Sequence, residues 1–289
     1  VNHLASSLGA RKRIKAQLCS SSAGVFTELT VFLQEMTHAE VSRKAEEGVA
    51  VIIPFGSMEQ HGLHLPLGTD LLIALEISKR VAEKTGSIVA PVLWVSLSKE
   101  HMAFKGTISL ESETLMKVMH DVVRSLSLHG FRRIVVINTH GGSDAALRSA
   151  ALEANTNFDV SVLYIGPSEV SSLLPESIQR ELEENMDIHA GVFETSVVNL
   201  VRPDLIRRDQ PSKPKMNIER HVLEALNLAK GNPTLRASIL SSVLAKFNEL
   251  SDNGSLTLLD PLNHWGKAET EVVLEEIAEK IAEVVRKWR

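Results

Sequence analysis

The sequence predicts an α/β fold, a mainly parallel sheet sandwiched between helices in a single domain. Three observations carry that expectation. Apolar, β-branched runs of strand length recur along the chain, Val49–Phe55 and Arg133–Asn138 most clearly, as expected of strands buried on both faces. Stretches of helical length separate the runs, and parallel strands need such crossovers. A chain of 289 residues with 44% hydrophobic content is long enough for one sizeable core.

Each element follows from its residues. Val49–Phe55 (VAVIIPF) reads as the first strand. In Leu71–Gly86, Ile73, Ile77 and Val81 fall at four-residue steps along one helical face, and the closing glycine suits a C-cap. Ile88–Val95 reads as a second strand, Ser112–Gly130 as a long amphipathic helix and Arg133–Asn138 as a third strand. A helix is expected over Asp144–Asn155 and a strand over Val160–Ile165. Further helices are expected over Ser168–Asn185, Phe193–Val201, Ile218–Leu228, Leu235–Leu250 and Lys267–Trp288.

Composition excludes several functions. Basic residues number 31 against 36 acidic ones, a net charge of −5, and only 4% of residues are aromatic. A nucleic-acid partner is therefore not expected. No apolar run approaches the roughly 18–20 residues of a membrane span. The single Cys19 forbids an internal disulfide and fits a reducing, cytoplasmic setting. Residues 1–35 read as an N-terminal extension to a domain over 36–289. Arg11, Lys12, Arg13 and Lys15 among serines, with no acid before Glu28, have the composition of a targeting segment. An upstream-extended start in a microbial chain accounts for them as well.

The chemistry concentrates in loops. Pro54–Asp70, PFGSMEQHGLHLPLGTD, places Glu59, His61, His64 and Asp70 directly after a strand. His140 follows another strand with only Thr139 after Asn138. In parallel sheets the ligand site lies beyond the carboxyl ends of the strands, so both loops open onto one rim. Carboxylates and imidazoles gathered there suit a divalent cation. Asp70 alone is equally explained as an N-cap, and Glu194, in the first turn of a helix, as complementing the helix dipole. His64 reads as a loop-packing residue rather than a sixth ligand.

Four segments together carry a resemblance: PFGSMEQHGLHLPLGTD, EHMAFKGTISL (Glu100–Leu110), INTHGGS (Ile137–Ser143) and DIHAGVFETS (Asp187–Ser196). In order and spacing, from about Val49 to Asp209, they resemble the creatininase family of metal-dependent amidohydrolases. That resemblance implies a creatininase-like α/β/α fold and metal ligands at Glu59, His61, Asp70 and His140. Creatininase proper takes its fifth ligand two residues after the last of these, where Gly142 stands here; the implied substitute is Glu194. Ser143 stands where many members have Asn, Val192 replaces a common Glu, and Lys105 replaces a Pro.

Five ligands with three carboxylates exceed the needs of one tetrahedral zinc. Two divalent ions per subunit (Zn, Mn or Fe) bridged by Asp70 are therefore expected, agreeing with what the resemblance implies. His189, beside the site if the match holds, is expected to donate a proton to the leaving nitrogen. Glu100 and His101 either orient substrate or form a solvated loop pair, and Gly141, Gly142 and Ser143 complete the expected substrate contacts. The expected activity is hydrolysis of a C–N bond in a small cyclic amide or formamide. The family also implies a homo-oligomer, often a hexamer. Two other classes compete: a non-catalytic α/β protein whose HGGS turn cradles a phosphate, and an assembly protein with a vestigial site.

Overall fold

In the computed structural model the described residues are 30–243 and 247–288, and those from Val31 onward form one compact unit. Residues 1–29, with Cys19 and the basic stretch, lie outside them. Val31 meets the sheet through its carbonyl, which accepts from Val89 N at 2.8 Å.

Among the described residues, four parallel strands form the sheet: β1 (Val51–Phe55), β2 (Ile88–Val89), β3 (Arg133–Asn138) and β4 (Ser161–Ile165), in the order β2-β1-β3-β4. The helices are α1 (His38–Glu46), α2 (Thr69–Thr85), α3 (Ser112–Leu128), α4 (Asp144–Asn157), α5 (Pro167–Ser172) and α6 (Glu176–Glu184), then α7 (Val192–Val201), α8 (Arg220–Leu228), α9 (Pro233–Val243), α10 (Phe247–Leu250) and α11 (Lys267–Lys287).

Because side chains alternate along a strand, the sheet has two apolar faces. Ile52, Val135, Ile137 and Ile165 pack with Ile73, Ile77 and Val81 of α2 and with Leu274, Ile277 and Ile281 of α11. Val51, Ile53, Phe55, Ile134 and Val136 pack on the other side with Leu115, Met119 and Val123 of α3 and the alanines of α4. The result is a three-layer α/β/α sandwich, as the periodicity predicts. No helix among the described residues is long and apolar enough to cross a membrane.

The strand order fixes where a ligand can go. From β1 the chain crosses through α2 to β2 at one edge; from β3 it crosses through α4 to β4 at the other. The connections diverge between β1 and β3, and at such a switch point the loops part to leave a crevice at the carboxyl ends. The register pairs Phe55 with Asn138. The two chemistry-bearing loops therefore leave the sheet side by side.

Three of the shifts from the expected boundaries fall at a proline. The run Ile88–Val95 pairs as a strand only at Ile88–Val89, because Pro91 supplies no N–H to the ladder. Pairing resumes where Leu93 N donates to the Pro54 carbonyl at 3.0 Å. The helix expected over Ser168–Asn185 divides into α5 and α6, with Pro175 as N-cap of the second. The helix expected from Leu235 begins at Pro233, a residue favoured in a first turn. Its continuation toward Leu250 is described as α10, residues 244–246 lying outside the described residues.

Candidate metal centre

At Gly56 the chain leaves β1 and passes against the start of α2. A Cβ there would lie 2.6 Å from Leu71 N and 2.8 Å from Asp70 C, backbone atoms that cannot rotate aside. Glycine alone permits this approach, which folds the loop Gly56–Gly68 back over the strand end. Ser57 Oγ then donates to Asp70 Oδ2 at 2.8 Å, and Thr139 Oγ1, from the loop after β3, donates to the Asp70 carbonyl at 3.0 Å. The helix starts at Thr69 on a Gly68 N-cap with no side-chain capping bond. Asp70 is thus free of the capping role, and its carboxylate turns inward.

Its carboxylate meets imidazoles from two loops. Oδ1 lies 3.3 Å from His61 Nε2 and Oδ2 lies 3.4 Å from His140 Nδ1. Glu59 Oε2 is 3.1 Å from His140 Nδ1, and Glu194 Oε1 is 3.8 Å from His61 Nε2. Two donor triplets result, Glu59–Asp70–His140 and His61–Asp70–Glu194, with Asp70 in both. A third, Glu59–His61–His189, overlaps them.

The loop after β3 is held by Asn138. Its Oδ1 accepts from His140 N at 3.1 Å and from Ser143 Oγ at 3.2 Å; its Nδ2 donates to the His140 carbonyl at 2.8 Å and to Tyr164 Oη at 3.0 Å. Tyr164 in turn donates to Asp144 at 2.8 Å. From α7, Glu194 Oε2 accepts from Ala190 N at 2.5 Å. Ala190 has φ of 50°, a left-handed conformation costing about 1–2 kcal/mol for a residue with a Cβ. Asp187 fixes this corner by accepting from Val192 N at 2.7 Å and Thr257 Oγ1 at 2.9 Å.

The placement of protons on the two histidines suits a cation. His140 Nε2 donates to the Leu97 carbonyl at 2.8 Å, leaving the Nδ1 lone pair facing Glu59 and Asp70. His61 Nδ1 contacts the Glu59 carbonyl at 3.2 Å, leaving Nε2 toward Asp70 and Glu194. Second partners of this kind are what orient metal-binding histidines. Glu59 Oε2 and His61 Nε2, both buried, have no hydrogen-bond partner. Buried polar atoms are ordinarily satisfied, so unsatisfied donors among converging carboxylates fit a divalent cation well.

Without a cation the cluster must hold protons. Burial pushes His61 down, but the facing carboxylates of Asp70 and Glu194 outweigh it and its pKa is pushed up to about 9. Burial, reinforced by Asp70 and Asp187 against an opposing His61, raises Glu194 to about 8. Asp70 is held below the usual carboxylate range, His61 and His140 overcoming its burial. A cation competes with the His61 proton at any pH below about 9. Loading the cation-free protein near neutral pH is therefore expected to release protons, fewer as pH rises past that value. Calorimetry in buffers of different ionisation enthalpy reads the number; loading without proton release would contradict this arrangement.

Of the expected ligands, Glu59, His61, Asp70, His140 and Glu194 all converge. His189 does too: its Nδ1 stands 3.8 Å from Glu59 Oε1, and burial, with His61 beside it, holds the ring neutral, well below the usual pKa. The expectation of a ready proton donor changes accordingly, because the resting imidazole presents a lone pair. His101 Nε2 lies 3.3 Å from Glu59 Oε1, and Glu100 Oε1 lies 3.6 Å from His140 Nε2. Both are turned inward, against the solvated-pair alternative. Ser143 is buried and bonded to Asn138 and the His140 carbonyl, so it secures the turn rather than facing a substrate. Gly142 is packed against Glu100 and Leu97, whereas Gly141 is open. His64 bonds Thr195 through Nε2 at 2.9 Å and joins no triplet, as expected of a packing residue.

Sequence reasoning missed Gln60, Asn138 and Phe247. Gln60 and Asn138 sit inside quoted motifs and were readable as polar residues adjoining ligands. Phe247, whose ring lies 4.4 Å from His101 and 4.9 Å from His189, lies far along the chain in a helical stretch without a local signal.

A parallel α/β sandwich with carboxylate and imidazole donors at the switch point defines a class, the α/β proteins with a metal-type site at the strand ends. The family profile described as creatinine amidohydrolase matches residues 34–285. The chain belongs to the creatininase family. It is 34% identical over 201 residues to the creatinine amidohydrolase of Pseudomonas putida, covering 63% of this chain and 75% of that one. It is 36% identical over 167 residues to the mycofactocin precursor peptide peptidase of Mycolicibacterium smegmatis, covering 55% and 61%. A crystal structure of creatinine amidohydrolase superposes with a TM-score of 0.66 at 26% identity, covering 89% of this chain and 97% of that one.

Proposed function

We propose that this chain is a two-cation hydrolase that cleaves a C–N bond of a small cyclic amide or formamide. One observation carries the reading: two donor triplets share the Asp70 carboxylate, the arrangement a bridged pair of divalent ions requires. Glu59, Asp70 and His140 would hold one ion, and His61, Asp70 and Glu194 the other. Such ions, when bound, supply Lewis acidity toward an amide carbonyl and activate water as the nucleophile. The chain's own groups do the rest. His189 accepts a proton at Nδ1 and returns it to the leaving nitrogen. His101 steadies the Glu59 carboxylate, and Phe247 covers both imidazoles and limits water.

Creatinine is disfavoured as the substrate by Gly142 in place of the creatininase glutamate. The phosphate-binding alternative is disfavoured by Glu100, a carboxylate standing against the HGGS turn. We further propose a homo-oligomer, as the family resemblance implies, in a cytoplasmic setting, which the single Cys19 suits.

Elemental analysis of protein purified without chelator should find about two equivalents of Zn, Mn or Fe. The loaded protein should turn over a member of a panel of cyclic amides and formamides, and chelation should stop it. Protein free of cations and unable to take them up would end this reading.

A further inference from the structure

Gln60 lies between two ligand positions in sequence, yet its side chain reaches elsewhere. It is buried, and its orientation is fixed by two backbone groups. Gly62 N donates to Oε1 at 2.9 Å, and Nε2 donates to the Gly254 carbonyl at 2.9 Å. Flipping the amide would set donor against donor and acceptor against acceptor, so the two backbone bonds fix which end carries the hydrogens.

One amide hydrogen remains, and two imidazoles stand near it. His101 Nδ1 is 2.9 Å from Gln60 Nε2, and His189 Nε2 is 3.1 Å away. His189 Nε2 has a closer acceptor in the Gln60 carbonyl at 2.7 Å. A neutral imidazole carries one hydrogen and one lone pair. His189 therefore spends its hydrogen on the carbonyl, and the amide hydrogen goes to His101 Nδ1.

We infer that Gln60 is a positioning residue that fixes the tautomers and opposed orientations of His101 and His189 about the Glu59 carboxylate. Both rings carry their hydrogen on Nε2, but they face Glu59 oppositely. His101 aims Nε2–H at Oε1 from 3.3 Å, whereas His189 aims its Nδ1 lone pair at the same oxygen from 3.8 Å. One ring steadies the carboxylate, and the other stays open to take a proton. Phe247 packs on both rings and holds their planes. The consequence for His189 rests on the hydrolase reading; the tautomers do not.

The test is long-range 1H–15N correlation of the imidazoles in the Zn2+-loaded protein, where the tautomer is read from the nitrogen shifts without any substrate. Both rings should show the Nε2–H form. In Gln60→Ala, His101 should lose that preference while His189, still facing the carbonyl of residue 60, keeps it. Gln60→Glu, which places an acceptor where the amide donated, should turn His101 to Nδ1–H and weaken Zn2+ retention by roughly 10- to 100-fold, the range for loss of an outer partner. A residue that merely supports the fold would disturb both rings alike. Nδ1–H on either ring of the unsubstituted protein overturns the inference, as does a His101 spectrum unchanged in both variants.

Discussion

Asp70→Asn should leave a folded protein that no longer retains its cations. The side chain keeps its volume, and the residue's backbone carbonyl still accepts from Thr139. The charged oxygens facing His61 Nε2 at 3.3 Å and His140 Nδ1 at 3.4 Å are what disappear. Because Asp70 belongs both to the triplet with His140 and to the triplet with Glu194, one substitution weakens both of them, where Glu194 would weaken one. Loss of an outer-shell partner costs about 10- to 100-fold in affinity, so loss of the shared carboxylate should exceed about 100-fold. Turnover of whatever substrate the unsubstituted protein accepts should fall below detection. Circular dichroism checks the fold and elemental analysis the cation content. An Asn variant with undiminished cation content would show that Asp70 does not bridge.

Gly142→Glu asks whether the missing creatininase glutamate can be restored. The expected result is failure. A Cβ on residue 142 would overlap Glu100 Oε1 and lie 2.6 Å from both His140 Nε2 and the Leu97 carbonyl. The Glu100 side chain could rotate aside, but the Leu97 carbonyl is backbone and already accepts the His140 bond. Overpacking of this kind costs about 1–3 kcal/mol, and the strain falls on the residue that aims His140 Nδ1 at Glu59. The melting temperature should drop and cation retention with it, without any gain of creatinine hydrolysis. A variant with unaltered melting and cation content would mean that the crowding at Gly142 relaxes freely.

How far the sequence could be read depends on the range of the signal. The strands Arg133–Asn138 and Val49–Phe55 were legible because burial on both faces leaves an uninterrupted apolar run. Where Pro91 and Pro175 interrupt hydrogen bonding, periodicity continues past the point where the element stops, so those boundaries moved. Glu59, His61, Asp70 and His140 were legible as donor types on loops after strands, since parallel topology sends such loops to one rim. Asp70 could be either cap or ligand until the turn at Gly56 showed which way its carboxylate points. The inward turn of Ser143 was not legible, because Asn138 offers it an acceptor five residues back that no pattern announces. The covering of His101 and His189 by Phe247 was least accessible, because Phe247 follows them by 146 and 58 residues (247 − 101 and 247 − 189).

That last contact sets an order of events during translation. Every carboxylate and imidazole of the cluster has been synthesised once Glu194 is made, but the Gly254 carbonyl that anchors Gln60 follows about 60 residues later (254 − 194). At ordinary elongation speeds of about 5–20 residues per second, the interval lasts roughly 3–12 seconds. A nascent chain thus contains the complete set of donors before the residues that cover them are synthesised. A message truncated within that interval would yield a polypeptide that carries every donor yet lacks the groups that align His101 and shelter both rings.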